Sequence, residues 1–582
     1  MTSSWNSAAL IFLAISLYKA VRLFRYIRRA KLTGIPYVVT PILETEILGF
    51  IATPILRHVY NRRLHEGQGW PRWCRFMIKD WAWEDKRRAH DEYGDVFLCV
   101  SPEGIICYSA DAAMGWDVMN RRYDFTKPPD KYKPYGPNVA TAEGANYRFH
   151  VRITAPPFGD GSGVNELVWD ETVYQTQKLA EVWEAGAERD LYEDVNRLTL
   201  AVISRAGFGK TLDVTAKDGE GQTIPPGHQI SFFRAIHNTT NYMVAILLLP
   251  GWLLNLTPLR KAHVAHRELD RYLREMIRHE RARIEENADH QSATARGNLL
   301  TAVLRASWSD SKQNTGATAE KGRKKGFTDD EVMGNLFIYL LAGYETTANA
   351  IAYGLIVLAL HQNIQTEVIN EVDAVYARAQ QAGRTKLTYS DDFEALEYTY
   401  GFMYETFRLF PGVTLITKMA GNPQPINISS SAAPNGSSMP RTTHLLPAET
   451  RVYLSAPAVH YNPRYWPDPY RLDPHRWTSS SSASSHNNKK RDYSVVAADR
   501  TRHMRGTLLT FSDGARACLG RKFAQAEYVA FFATLLRDYR VVLQPGQVAE
   551  EVERDLFATS AGKVTLAPLV KARIRLERRV MG

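Results

Sequence analysis

A capping box fixes the longest element of this chain. Thr328 and Glu331 stand at the T-x-x-E spacing, in which the hydroxyl accepts from the third helical N–H and the carboxylate reaches back to the N-cap. Phe327 is placed to staple onto Val332, and the apolar run that follows predicts a helix from about residue 329 to His361. A rod of that length, about 50 Å at ~1.5 Å per residue, has to cross the whole molecule.

The rest of the chain reads as mixed. Residues 71–160 alternate short β-like runs, DVFLCV and IICYSA, with turn signals. Residues 165–305 are mainly helical, and the charges of HVAHRELDRYLREMIRHERARI read as a solvated face. The expected class is mainly α with small β-sheets (α+β). Three polar segments, 308–326, 426–442 and 479–505, read as insertions on one domain. A composition of 45% hydrophobic and 23% charged residues excludes a disordered chain. Four scattered cysteines exclude a disulfide framework, although Cys99 and Cys107 flank a Pro102/Gly104 turn. GFGKT at 207–211 fails as a phosphate loop, because Ser204 takes the first glycine position.

The fourth cysteine has a different setting. FSDGARACLG, residues 511–520, places Phe511, Gly514, Arg516, Cys518 and Gly520 in the pattern FxxGxRxCxG. A lone thiolate can be the axial ligand of a haem iron and push electron density toward O–O cleavage. The glycines let backbone approach a flat macrocycle, nearby N–H groups can bond the sulfur, and Arg516 can pair with a haem propionate. In the long helix, LAGYETT sets Glu345 beside Thr346, an acid–alcohol pair suited to proton delivery, with Gly343 expected to loosen the helix locally. Glu405 and Arg408 in MYETFRLFP share a helix face at i, i+3.

With these motifs in this order, the sequence resembles the cytochrome P450 superfamily, and in style its filamentous-fungal members. The resemblance implies the cytochrome P450 fold and haem b, with Cys518 on the iron. It implies that Arg476, in YNPRYWPDPYRLDPHRW, joins Glu405 and Arg408 in a buried structural triad, and His475 stands where the family commonly has Glu. In GANYRFHVRITAPPF, Tyr147 and Val151 replace the usual propionate-gripping Trp and Arg. His150, Arg152 and Lys418 are left as the expected propionate partners. Tyr339, Ala342, Val413, Thr414 and Leu415 are expected to line a substrate pocket, with the turn at 560–565.

The implied activity is a haem-thiolate monooxygenase that oxidises a lipophilic small molecule with O2. No flavin or nicotinamide motif follows the cysteine, so electrons are expected from NADPH through a P450 reductase, with cytochrome b5 as a further donor. The alternatives are a P450-fold isomerase or dehydratase, and a haem-binding sensor or structural membrane protein. Residues 1–43 hold six basic and no acidic residues, leaving +4 of the +10 for the remainder. The charge therefore reads as membrane topology and not as a nucleic-acid footprint. Residues 1–31 are expected to form a single-pass N-terminal anchor helix in the endoplasmic reticulum membrane with its basic flank. Residues 32–70 are expected as a proline-containing hinge, and 71–582 as a cytosolic haem domain.

Overall fold

The structure is a computed structural model, described for all residues except 1, 129–134, 187–189, 216–223, 287–296, 314–325, 430–440, 479–504, 559, 561–564, 571 and 581–582. Among the described residues, ten strands fall into three sheets. Those of the largest are β1 (Tyr37–Val39), β2 (Val96–Ser101), β3 (Gly104–Ser109), β4 (Phe125–Thr126), β5 (Leu415–Ala420) and β8 (Arg451–Ser455), in the order β1-β2-β3-β8-β5-β4. β6 (Gln424–Ser429) pairs with β7 (Arg441–Leu446), and β9 (Tyr539–Leu543) with β10 (Ile574–Arg578). The helices that position the site are α1 (Thr2–Leu32), α2 (Ile47–Val59), α3 (Gly144–Thr154), α4 (Val164–Glu184), α5 (Leu191–Phe208), α6 (Arg260–Glu286), α7 (Leu299–Gln313), α8 (Asp329–Leu360), α9 (Gln362–Gln381), α10 (Glu397–Leu409) and α11 (Arg521–Asp538).

α8 is the predicted rod. Thr328 Oγ1 accepts from Glu331 N while Glu331 accepts from Thr328 N, so both halves of the capping box are present, a cap that contributes about 1 kcal/mol. The helix packs on α5 and α11, and close approach is bought by glycine. A Cβ at Gly354 would lie 2.4 Å from the Tyr528 hydroxyl, and one at Gly334 would lie 2.4 Å from the Pro137 carbonyl. Gly343 belongs with these: α8 runs through it unbroken, and a Cβ there would meet Ile203 of α5 at 3.2 Å. It admits a neighbouring helix and does not loosen its own.

Several expectations change. Cys99 is opposite Ile106 and Cys107 opposite Leu98, a one-residue offset that sends the two thiols to opposite faces of the sheet, and both are buried and free. Residues 308–313 continue α7, and 426–429 with 441–442 are paired strand; residues 314–325, 430–440 and 479–504 of the three polar segments lie outside the described residues. No helix among the described residues is long and apolar enough to cross a membrane. In α1 the polar start and the bases from Lys19 onward leave only Ala8–Tyr18 apolar, ~16 Å of helix against a hydrocarbon core of ~30 Å. The second half of α1 docks on the sheet through Leu23, Tyr26, Ile27 and Ala30, and Lys19 and Arg22 each lie 3.6 Å from Glu103.

Candidate active site

The loop before α11 is closed by its own backbone: Cys518 N donates to Phe511 O at 2.8 Å, and Ala517 N to Gly514 O at 3.1 Å. Gly514 has φ +65°, and a Cβ on it would lie 2.9 Å from Met119 O, so the turn requires glycine. Cys518 is the one non-buried cysteine, although protein surrounds it closely enough that desolvation pushes its thiol pKa up. Gly520 N–H and the Arg521 charge act in the opposite sense. Across the core, Ala342 is exposed midway along a helix that is otherwise mostly buried. Accessible atoms inside buried segments mark the walls of an internal cleft.

Arg516 is fixed from several directions. Its guanidinium donates to Val139 O at 3.2 Å and to Ala142 O, pairs with Glu143 at 2.6 Å, and lies 3.4 Å from the Tyr147 ring centroid. The Tyr147 hydroxyl donates to Ala515 O in the cysteine loop. Tyr147 therefore does a clasping job of its own where the family usually has Trp. Lys127 donates to Ala140 O at 2.7 Å, and its N–H to Glu143 at 3.1 Å.

Lys418 completes the cluster. It is 3% exposed, and its ammonium makes no hydrogen bond or ion pair among the described residues. Burial first, then the charges of Lys127 and Arg516, lower its pKa to about 8. A buried ammonium with no partner, beside two further cations and one carboxylate, is a place for an anion. Together with the sulfur on its glycine-lined loop, these residues fit a haem: Cys518 would hold the iron, and Lys418, Lys127 and Arg516 would meet the propionates.

This has a measurable consequence in apoprotein. Lys418 is lowered on folding from an ordinary value of ~10.4, so between about pH 8 and ~10.4 the unfolded chain binds more protons and stability rises with pH. The rise should reach at most ~3 kcal/mol in urea titrations and be absent from Lys418→Met. An equal rise in that variant would remove Lys418 from the cluster's electrostatics.

Two expected propionate partners are engaged elsewhere. His150 is 1% exposed, with its Nδ1 3.1 Å from Asn335 Nδ2 and its Nε2 3.5 Å from Glu331, both on α8. Arg152 is exposed, with its guanidinium 5.6 Å from the Phe149 ring centroid. Helical phase explains this: Tyr147 and His150 share the buried face of α3, and Arg152 is turned ~140° away from Tyr147.

Glu345 and Thr346 point apart, as neighbours on a helix must. Thr346 Oγ1 donates to Ala342 O at 2.6 Å, while Glu345 is buried and accepts from Thr565 N at 3.2 Å and Thr565 Oγ1 at 3.0 Å. Asn349 Nδ2 donates to the same Thr565 hydroxyl at 2.7 Å. Of the expected pocket residues, Ala342 and Val413 are exposed and Leu415 is half-buried at the start of β5. Thr414 is buried, and Tyr339 packs on Phe158 with its hydroxyl toward Thr154, so neither opens onto the cleft.

Beneath the loop, Glu405, Arg408 and Arg476 come together. Arg408, fully buried, places all five donors: two on Glu405 at 2.9 and 2.7 Å, and the others on the carbonyls of His460, Pro469 and Arg471 at 3.0, 2.7 and 3.1 Å. Arg476 Nε is 3.4 Å from Glu405, which also accepts from Trp477 Nε1 at 2.9 Å. His475 pairs with Glu367 of α9 at 3.1 Å. Sequence reasoning missed His460. Burial depresses its pKa to about 3, so the ring is neutral: Nδ1–H donates to Arg408 O at 2.9 Å and Nε2 accepts from Leu509 N at 2.9 Å. It ties the triad to the segment leading into the cysteine loop.

Residues 73–566 match the family model described as Cytochrome P450. The chain belongs to this family. This P450 is 55% identical over 570 residues, 97% of its own length and 96% of the relative's, to the cytochrome P450 monooxygenase prx9 of Penicillium rubens. The monooxygenase ORF6 of Penicillium roqueforti is equally similar, 55% over the same share of each chain. A phomenoic acid biosynthesis cluster P450 monooxygenase of Leptosphaeria maculans is 25% identical over 94% of each chain. Among solved structures, the cytochrome P450DA heme domain superposes with a TM-score of 0.61 at 19% identity, over 85% of this chain and 91% of that one. Family membership makes the protein a haem-dependent oxidoreductase with thiolate-ligated iron.

Proposed function

We propose that this P450 inserts one atom of O2 into a lipophilic small molecule of fungal secondary metabolism, with electrons from NADPH through a membrane-bound P450 reductase and cytochrome b5 as a further donor. The observation that carries the reading is the intact acid–alcohol pair: Thr346 is held on the cleft side of α8 by its bond to Ala342 O, and Glu345 is buried behind it on Thr565. The pair also argues against a P450-fold isomerase, which has no proton to deliver. The relatives support the pathway class, since one is named for a biosynthetic cluster.

Haem, when bound, supplies the centre at which O2 is held and reduced. The chain's residues do the rest. Thr346 Oγ1, donating to Ala342 O, keeps its lone pairs toward the cleft and can orient a water there. Glu345, through Thr565, is the group from which a proton can be replaced. Thr346→Ala is expected to keep NADPH consumption but release H2O2 in place of product, lowering product per NADPH on the order of 100-fold. Unchanged coupling would remove Thr346 from proton delivery.

The same proposal attaches the chain to the endoplasmic reticulum membrane with its haem domain on the cytosolic side. Leu10, Ile11, Phe12, Leu13, Ile15 and Leu17 of α1 are 51–73% exposed and occupy every side of the helix, as suits a segment surrounded by lipid. α2 adds a second apolar stripe, with Ile47, Ile51, Ile55 and Val59 exposed at helical spacing.

A further inference from the structure

Lys86 stands in a conformation that suits glycine. It follows the helix Trp81–Asp85 with φ +54° and ψ −108°, angles typical of the first central residue of a type II′ turn, where an L side chain is strained. The side chain is 6% exposed and lies among aromatic rings, with Nζ 2.9 Å from the Trp83 ring centroid and 5.3 Å from that of Tyr461. The neighbouring carboxylates are taken: Glu84 pairs with Arg57, and Asp85 with Arg75 at 3.0 Å. Burial drives the Lys86 pKa well below that of an ordinary lysine, against the charges of Glu84 and Asp85.

Strain and burial both serve two hydrogen bonds. Nζ donates to Trp83 O at 2.9 Å, a local contact, and to Phe557 O at 3.1 Å, 471 residues away. Phe557 is the penultimate residue of the helix Ala549–Ala558, so its carbonyl is one of the four that a helix end leaves without an internal partner. Lys86 caps that end. Methionine would fill the same slot with no amine to desolvate, so packing alone does not account for a lysine here.

The capped end leads into the cleft wall. The Phe557 ring packs on Phe410 with centroids 5.1 Å apart, and Phe410 stacks on Tyr353 of α8 at 4.4 Å and 11°. Glu345, Asn349 and Tyr353 follow one another at i, i+4 spacing along a single face of α8. Eight residues beyond Phe557, Thr565 reaches the same face, where it donates through N and Oγ1 to Glu345 and accepts from Asn349. Phe557 and Thr565, the two ends of one short segment, therefore both rest on this stripe of α8, one through Phe410 and the other directly. Lys86 fixes the first of them.

We propose that Lys86 is a positioning residue for proton delivery, fixing the end of the helix Ala549–Ala558 and thereby the reach of Thr565 to Glu345. It rests on the role proposed for Glu345 and extends that role to a residue that touches neither substrate nor cofactor.

Full-length holoprotein carrying Lys86→Met, Thr565→Val or both is to be compared with wild type in three measurements. These are the melting temperature, hydrogen exchange of the peptide containing the Thr565 amide, and the infrared C–O stretch of the reduced carbon monoxide complex, which responds to donors in the distal pocket. Lys86→Met should melt within about 3 °C of wild type, because relieved burial offsets the two lost bonds. Its Thr565 peptide should exchange about 10-fold faster, and its C–O band should shift and broaden. Thr565→Val should move the band in the same way, and the double variant should move it no further than Thr565→Val alone. A Lys86→Met protein that fails to fold or melts far below wild type would make the lysine purely structural and overturn the proposal. Unchanged exchange with an unchanged band, or band shifts that add in the double variant, would also overturn it. Each of these results leaves the acid–alcohol reading standing. An unmoved band in Thr565→Val would instead refute the part of Thr565 in the proton route, and the exchange rate alone would then decide whether Lys86 positions it.

Discussion

Arg408→Leu is expected to destabilise the protein by ~3–5 kcal/mol, about a fifth or more of the stability of an ordinary domain. The arginine is fully buried with all five donors placed, so its loss strands three carbonyls and leaves the buried Glu405 carboxylate with Arg476 at 3.4 Å as its remaining cation. The cost comes from what is left unpaired more than from the ion pair lost. The double variant Glu405→Leu/Arg408→Leu should therefore cost less than the sum of the two single changes. Because His460 links Arg408 O to Leu509 N, haem retention should fall at denaturant concentrations where the helical signal is still native. Urea titration followed by circular dichroism and by haem absorbance would check this. Coincident transitions, or a loss below ~1 kcal/mol, would contradict a triad that supports the cysteine loop.

Cys518→Ala should have the opposite profile: stability near wild type and complete loss of thiolate-ligated haem. The turn at 511–518 is closed by backbone bonds, Cys518 N to Phe511 O and Ala517 N to Gly514 O, which alanine keeps. The sulfur's role is with the metal, whose charge would reverse the upward shift that burial imposes on the thiol. The reduced variant with carbon monoxide should lack the long-wavelength band that marks thiolate ligation, and turnover should be abolished. Retention of that band would mean another residue holds the iron.

The helical rod was legible because a capping box and an apolar run are local signals, and α8 begins and ends within a residue of expectation. The cysteine loop was legible for the same reason: its glycines serve a turn within ten residues. Contacts across the chain were not. Lys127, Glu143, His460 and Thr565 acquire their roles from partners 16 to 373 residues away, and nothing in their neighbourhoods marks them. His150 and Arg152 were misplaced because one substitution, Tyr147, moved the α3 contribution to a residue that acts through Arg516. Gly343 was misread because a glycine in a helix shows that space is needed but not which neighbour fills it.

The hold on Arg516 comes entirely from the chain: two carbonyls, a carboxylate and an aromatic face. A side chain fixed this way has already lost its rotamer freedom before any cofactor arrives, so loading spends little entropy at that corner. Lys418, a few residues into β5, has the converse character, since it is fixed in place yet electrically unsatisfied. The socket thus pairs one cation that gives shape with one that gives appetite, and a newly made chain would meet haem with the geometry complete and the charge still owed.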